Sequence, residues 1–172
     1  MDDWASMGDA AFPQGLDGTA FDAVGGYFPA ANAVHGWTRG DWGRIPGPKL
    51  PIWVANFGQK NGLRDAEQTL ADAQDIGMHK GIVALDMETS VDKTYVAAYG
   101  SVMQHHGYKV WVYGSASTVF DMPQLNGYWV ADYAGIGEFM YRHPGTRATQ
   151  WTDGPKYDSS TVKRWVLSEF WV

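Results

Sequence analysis

Apolar and polar positions along the chain follow two alternating rhythms. Short runs rich in Val, Ile, Trp and Tyr occur at residues 23–28 (AVGGYF), 50–55 (LPIWVA), 81–87 (GIVALDM), 109–113 (KVWVY), 128–132 (YWVAD) and 148–151 (ATQW). They are bounded by Gly, Pro or Asn, which is the signature of β-strands. Between them the period lengthens to that of a helix. In residues 65–76, Ala66, Leu70, Ala73 and Ile76 recur at helical spacing, and Gly77 sits where a C′ glycine belongs. Residues 92–106 repeat the design, with Tyr95, Tyr99, Val102 and His106 on one stripe and Gly107 closing it. Asp92 or Ser90 supplies the N-cap. Thr38 opens a further helix-like stretch flanked by Trp37 and Trp42, which read as packing or rim residues.

Strands alternating with helices imply βαβ units, a parallel sheet and right-handed crossovers. The nearly continuous apolar run GIVAL suits a sheet covered on both faces. An open doubly wound sheet would be favoured by a phosphate-binding glycine loop, but neither G-x-G-x-x-G nor a P-loop occurs. The pair Gly25–Gly26 lies inside a strand and marks a close backbone approach. The expectation is therefore an α/β fold, a compact single-domain (β/α)8-type barrel. With 172 residues against the roughly 250 typical of such barrels, its helices must be shortened. No repeat or linker divides residues 1–172, which form one domain.

Composition narrows the chemistry. The absence of cysteine excludes disulfides, thiolate metal sites and a cysteine nucleophile. A net charge of −6 with scattered Lys and Arg leaves no basic stripe for a nucleic acid. No apolar run approaches the roughly 20 residues that cross a bilayer, so no membrane partner is expected. The start, MDDWASMGDAAF, shows no secretory signal. Nine tryptophans is a high count for a chain of this size, explained either by a ring-rich core or by rings lining a cleft where sugar C–H faces could pack.

The most informative stretch is GIVALDMETS. Asp86 and Glu88, separated by one residue at the end of a strand, point the same way. The C-terminal ends of barrel strands are where barrel enzymes place their chemistry. Two acids there would push one proton affinity up and leave the other ionised, as acid/base work requires. Capping of the next helix is the competing explanation. Tyr27, Asn56, Tyr113, Asp132 and Trp151 fall at or near strand C-termini and are candidate substrate-binding residues. No metal site is expected: His105 and His106 sit at a helix end, and His35 and His143 are isolated. WVYGSAS lacks the G-x-S-x-G elbow of a serine hydrolase.

The order D-x-E strand, helix, KVWVYGSAS, YWVADY and ATQWTDGPKYDSS resembles that of GH25-type lysozymes. It is equally similar to related glycoside-hydrolase-like domains of actinobacterial and phage proteins, whose second and third strands DAVGGYF and KLPIWVANF also resemble. The resemblance implies that Glu88 is the general acid and that Asp86 orients substrate or stabilises a charged transition state. It also matches Asp158, in KYDSS, to an aspartate near the last strand. The family's first-strand aspartate has two candidates, Asp3 and Asp17. Asp17 leaves too few residues before the strand at Ala23 for a crossover, which needs about 10–12. Asp3 is therefore preferred.

The function so implied is hydrolysis of a cell-wall polysaccharide, peptidoglycan foremost, by carboxylate acid/base catalysis without a cofactor. The second reading is a non-catalytic glycan-binding or structural module of a phage virion or bacterial surface protein. A small-molecule α/β enzyme comes third, lacking any cofactor signature. Both leading readings make a polysaccharide the partner, alone or within a larger virion or surface assembly. They place the protein outside the cell, at a cell wall or on a virion.

Overall fold

The structure is a computed structural model that describes residues 3–30, 36–55, 61–87, 92–123, 125–133 and 139–172. Its centre is a closed eight-stranded barrel in which each strand pairs with its neighbours in sequence. The strands are β1 (Trp4–Asp9), β2 (Ala23–Tyr27), β3 (Lys49–Val54), β4 (Gly81–Asp86), β5 (Tyr108–Ser115), β6 (Gly127–Ala131), β7 (Thr146–Thr152) and β8 (Asp158–Lys163). Helices α1 (Arg39–Arg44), α2 (Gly62–Ile76), α3 (Lys93–His105) and the single turn α4 (Ala116–Val119) follow β2, β3, β4 and β5. The six strand runs read from the sequence all form strands, with ends displaced by a residue or two.

The expectation of a fully parallel sheet needs correction at β8. Strands β1 to β7 run parallel, but β8 pairs antiparallel with both β7 and β1. The reason is chain length. Residues 153–157 alone join β7 to β8, whereas a parallel return needs a crossover of a dozen or more. The fold is an α/β barrel of mixed strands.

The helices form for the reasons their sequences suggest. Asp92 caps α3 by accepting hydrogen bonds from the backbone N–H groups of Thr94 and Tyr95. Thr38 and Asp41 form a reciprocal capping box on α1. Asn61 caps α2, which starts earlier than its apolar stripe, and Gly77 ends it in a left-handed conformation, φ 89°. Gly62 permits the backbone of Tyr95 to approach, so α2 and α3 pack closely. The buried stripe of α3 continues from Tyr95 and Tyr99 to Met103, while His106 is exposed. Trp37 and Trp42 are wholly buried with ring centroids 4.7 Å apart, and are packing residues.

Two cores result. The outer one lies between barrel and helices and includes Val83, Leu85, Val110 and Val112. The inner one fills the barrel with Ala5, Met7, Leu50, Ile52, Ile82, Ala84, Trp111, Trp129 and Val162. Val166 and Phe170, in and just after the closing 3-10 turn Arg164–Glu169, belong to the inner core, and Phe170 meets Trp111 edge-on at 5.5 Å. These residues lie beyond the exit of β8, so they close the end opposite the C-terminal mouth of the parallel strands.

The glycine pair in β2 shows how tightly the interior is filled. Gly26 faces outward under the Trp37 ring, and an added Cβ would lie 2.6 Å from it. Gly25 faces inward opposite Asp9, and a Cβ there would lie 2.6 Å from the Asp9 Cβ. Gly25→Ala should therefore lower stability by about 1–3 kcal/mol through overpacking. Gly43→Ala in α1, where a Cβ meets nothing within 4 Å, should leave stability unchanged or raise it slightly. Thermal melts of both variants check the pair; equal melting temperatures would show that Gly25 carries no packing constraint.

Candidate active site

The inward face of the barrel changes character at its C-terminal mouth. Along β1, Ala5, Met7 and Asp9 alternate inward, so the strand's last inward residue is a carboxylate. Along β4 the corresponding series is Ile82, Ala84 and Asp86. Because β8 runs the other way, its first residue, Asp158, lies at the same mouth. The register sets Asp9 directly opposite Asp158, and Asp86 opposite Tyr113 of β5. Asp9 and Asp86 are only 4% and 5% exposed, so both sit within the protein interior.

These residues converge on one cavity of about 80 Å³. Its lining comprises Asp9, Asp86, Asp153 and Asp158 with Tyr27, Tyr113, Trp129, Tyr133 and Ile52. No Lys, Arg or His belongs to this lining among the described residues. Asp158 accepts a hydrogen bond from the Gly154 N–H at 2.8 Å, which ties the β7–β8 turn to the cavity wall. The Trp129 indole donates to the Ser160 hydroxyl at 3.0 Å and packs against Tyr113 with centroids 4.6 Å apart. The Tyr113 and Tyr133 hydroxyls are 3.3 Å apart.

Tyr113 reports on the electrostatics. Burial raises its pKa well above the ordinary tyrosine value, and the hydrogen bond with Tyr133 and the nearby negative charges of Asp86 and Asp9 push it the same way. The hydroxyl is thus a neutral hydrogen-bonding group beside carboxylates. Asp9 and Asp158 directly across a ladder repel when both are ionised. A lining rich in carboxylates favours positive charge that develops beside it. Among the described residues, no group of three or more His, Asp or Glu has an arrangement that could hold a metal ion.

Of the residues singled out in the sequence, Asp86, Asp158, Tyr27 and Tyr113 meet in the cavity. Glu88 and Asn56 lie outside the described residues. Three expectations need correction. Asp3 precedes β1 at the far end of the barrel, exposed and paired with Arg164 at 3.2 Å. Asp132 follows the inward Ala131 and turns to the outer flank, where it borders a larger groove of about 760 Å³ with Trp4, Tyr141 and Lys163. Trp151 lies in the stretch where the β7–β8 register shifts, between the paired Gln150 and Thr152, and does not line the cavity.

Asp9 supplies the first-strand carboxylate; Asp17, at the end of the 3-10 turn Pro13–Leu16, does not line the cavity either. Unlike Asp17, Asp9 leaves residues 10–22 before β2, room enough for a crossover, so loop length admits Asp9 as well as Asp3. The period-2 series Ala5, Met7, Asp9 was the signal available in the sequence. Asp153, Trp129 and Tyr133 carried no such signal. Tyr133 follows β6, and Asp153 belongs to the turn that reverses the chain.

Comparison with known proteins bears on the fold. No family model matches the chain, and no curated protein does. An uncharacterised protein of B. stearothermophilus, known from a 1.07 Å crystal structure, is similar over 98% of this chain and 99% of its own, with a TM-score of 0.74 and 18% identity. At that identity the likeness extends to the barrel fold.

The raised pKa of Tyr113 makes a pH prediction. Below about pH 10 the hydroxyl is neutral in both folded and unfolded chains and contributes no pH dependence. Above it the unfolded chain ionises while the folded one resists, so stability falls as pH rises. Melting temperatures between about pH 8 and 11 should fall more steeply for wild type than for Tyr113→Phe. Parallel curves would show that the folded state does not hold this proton.

Proposed function

We propose that the protein is a glycoside hydrolase acting on a cell-wall polysaccharide, with peptidoglycan the first candidate. The observation that carries this reading is the convergence of Asp9, Asp86 and Asp158, from three strands, on one cavity at the barrel mouth. Glycosidic cleavage passes through an oxocarbenium-like state, and carboxylates in a low-dielectric site stabilise such positive charge. In this reading Glu88 protonates the leaving oxygen, the role that the resemblance implies for it. Asp86, with Asp9 and Asp158, stabilises the developing charge or activates water. Asp9 replaces Asp3 in the set. The neutral Tyr113 hydroxyl orients a carboxylate or a sugar oxygen by hydrogen bonding. This chemistry uses side chains alone and requires no cofactor. A cell-wall substrate would place its work outside the cytoplasm, free or as part of a virion or surface protein.

A second reading, a non-catalytic glycan-binding or structural module, is favoured by the size of the cavity. About 80 Å³ is well below the roughly 300 Å³ at which ligand pockets begin. A barrel with an acidic pocket is not by itself an enzyme.

Clearing of purified cell-wall suspensions separates the two. Wild type should clear them, and Glu88→Gln should lose about 10²–10⁴-fold in turnover, mainly in kcat. Asp9→Asn and Asp86→Asn should each lose activity while remaining folded, as thermal melts of both variants check. Asp3→Asn should clear as wild type does. Binding of wall polymer without any clearing would decide for the non-catalytic module. Undiminished clearing by Glu88→Gln together with Asp86→Asn would refute the carboxylate mechanism.

A further inference from the structure

We propose that Tyr133 is the sugar-stacking residue at the rim of the carboxylate cavity, holding a pyranose ring flat against its aromatic face. The proposal rests on the glycan reading above and names a binding residue for it.

The aromatic residues that line the cavity differ sharply in exposure. Tyr113 and Trp129 are 6% and 1% exposed, whereas Tyr133 is 50% exposed. Most large aromatic side chains in the barrel are buried, and a half-exposed ring forgoes part of the stabilisation that burial supplies. Yet Tyr133 is not a loose surface residue. Its hydroxyl lies 3.3 Å from that of Tyr113, whose own ring is packed against Trp129. The hydroxyl is thereby held at the cavity while half of the residue remains exposed. An anchored ring with two side-chain torsions loses little freedom on contact, so it is preorganised for binding.

The neighbouring chemistry selects the ligand. A pyranose presents an apolar C–H face and a rim of hydroxyl donors. The face suits the exposed ring, and the hydroxyls suit Asp9, Asp86, Asp153 and Asp158, which accept hydrogen bonds. Those carboxylates oppose an anionic sugar, so an uncharged ring is the fitting probe. Stacking outside the carboxylate cavity also bears on its small volume. The cavity has to admit only the polar edge of the ring, with the sugar body lying over Tyr133.

The test is calorimetric titration of the full chain with the β-1,4-linked tetramer of N-acetylglucosamine, using wild type, Tyr133→Phe, Tyr133→Leu and Tyr133→Ala, each checked by a thermal melt. Tyr133→Phe keeps the ring and should bind within about threefold of wild type. Tyr133→Ala should bind about tenfold more weakly, the size of one lost aromatic contact. Tyr133→Leu, which keeps apolar bulk without a flat face, should resemble Tyr133→Ala and serves if the alanine variant fails to fold. Binding by Tyr133→Leu or Tyr133→Ala within about twofold of wild type would overturn the stacking role. So would a loss in Tyr133→Phe as large as in Tyr133→Ala, since the hydroxyl and not the ring would then be responsible. Wild type that binds neither the tetramer nor whole cell-wall polymer would overturn the glycan reading itself, and the stacking role with it.

Discussion

Strand β8 hydrogen-bonds to β7 on one side and to β1 on the other, antiparallel to both, and this double ladder turns a curved sheet into a barrel. Without it β1 and β7 would be open edges with unpaired backbone groups. The reversal has further consequences. It brings the start of β8 to the same mouth where β1 and β4 end, so that Asp158 faces Asp9 across the ladder. It also replaces a crossover helix by a short turn. Among the described residues no α-helix follows β7, β8 or β1, and the segment Met140–Tyr141 lies on Thr149 instead. The larger groove beside Trp4 and Lys163 belongs to this flank.

Closure also explains the division of the interior into two zones. Below the mouth the inward positions are apolar and filled, with Trp111 and Phe170 meeting at the closed end. At the mouth the same alternation carries Asp9, Asp86 and Tyr113, and all three are buried. Like charges directly opposite one another on a ladder are unfavourable in themselves, and the filled apolar layers beneath hold the strands that carry them in place. Such local conflict with stability is characteristic of functional sites. Gly25 belongs to the same arrangement. Its missing side chain is the space that lets Asp9 point inward beside Ile52.

The elements of greatest regularity were legible from the chain alone. The apolar runs that became β2 to β7, the caps of α1 and α3, and the terminating glycines of α2 and α3 follow from local rules, because side-chain period and capping chemistry act over a few residues. The buried stripe of α3 was legible in its first two turns. Its last turn follows Met103, because the neighbour against which a helix packs is not written in its own period. Asp86 could be placed at the mouth by strand parity, and so, by the same rule, could Asp9.

What the sequence determined by itself is therefore the alternation of strands and helices from β2 to β7, the period-2 parity within those runs, and the presence of acids at strand ends. Whether those acids meet was decided by tertiary structure. Asp132 and Asp158 both flank strand-like runs, yet one turns to the outer flank and the other faces Asp9. The difference lies in the direction of β8 and in the register between strands distant in sequence. Both are set by closure of the whole barrel, in which β1 pairs with a strand some 150 residues further along the chain. Local propensity contains no information about a partner that far away.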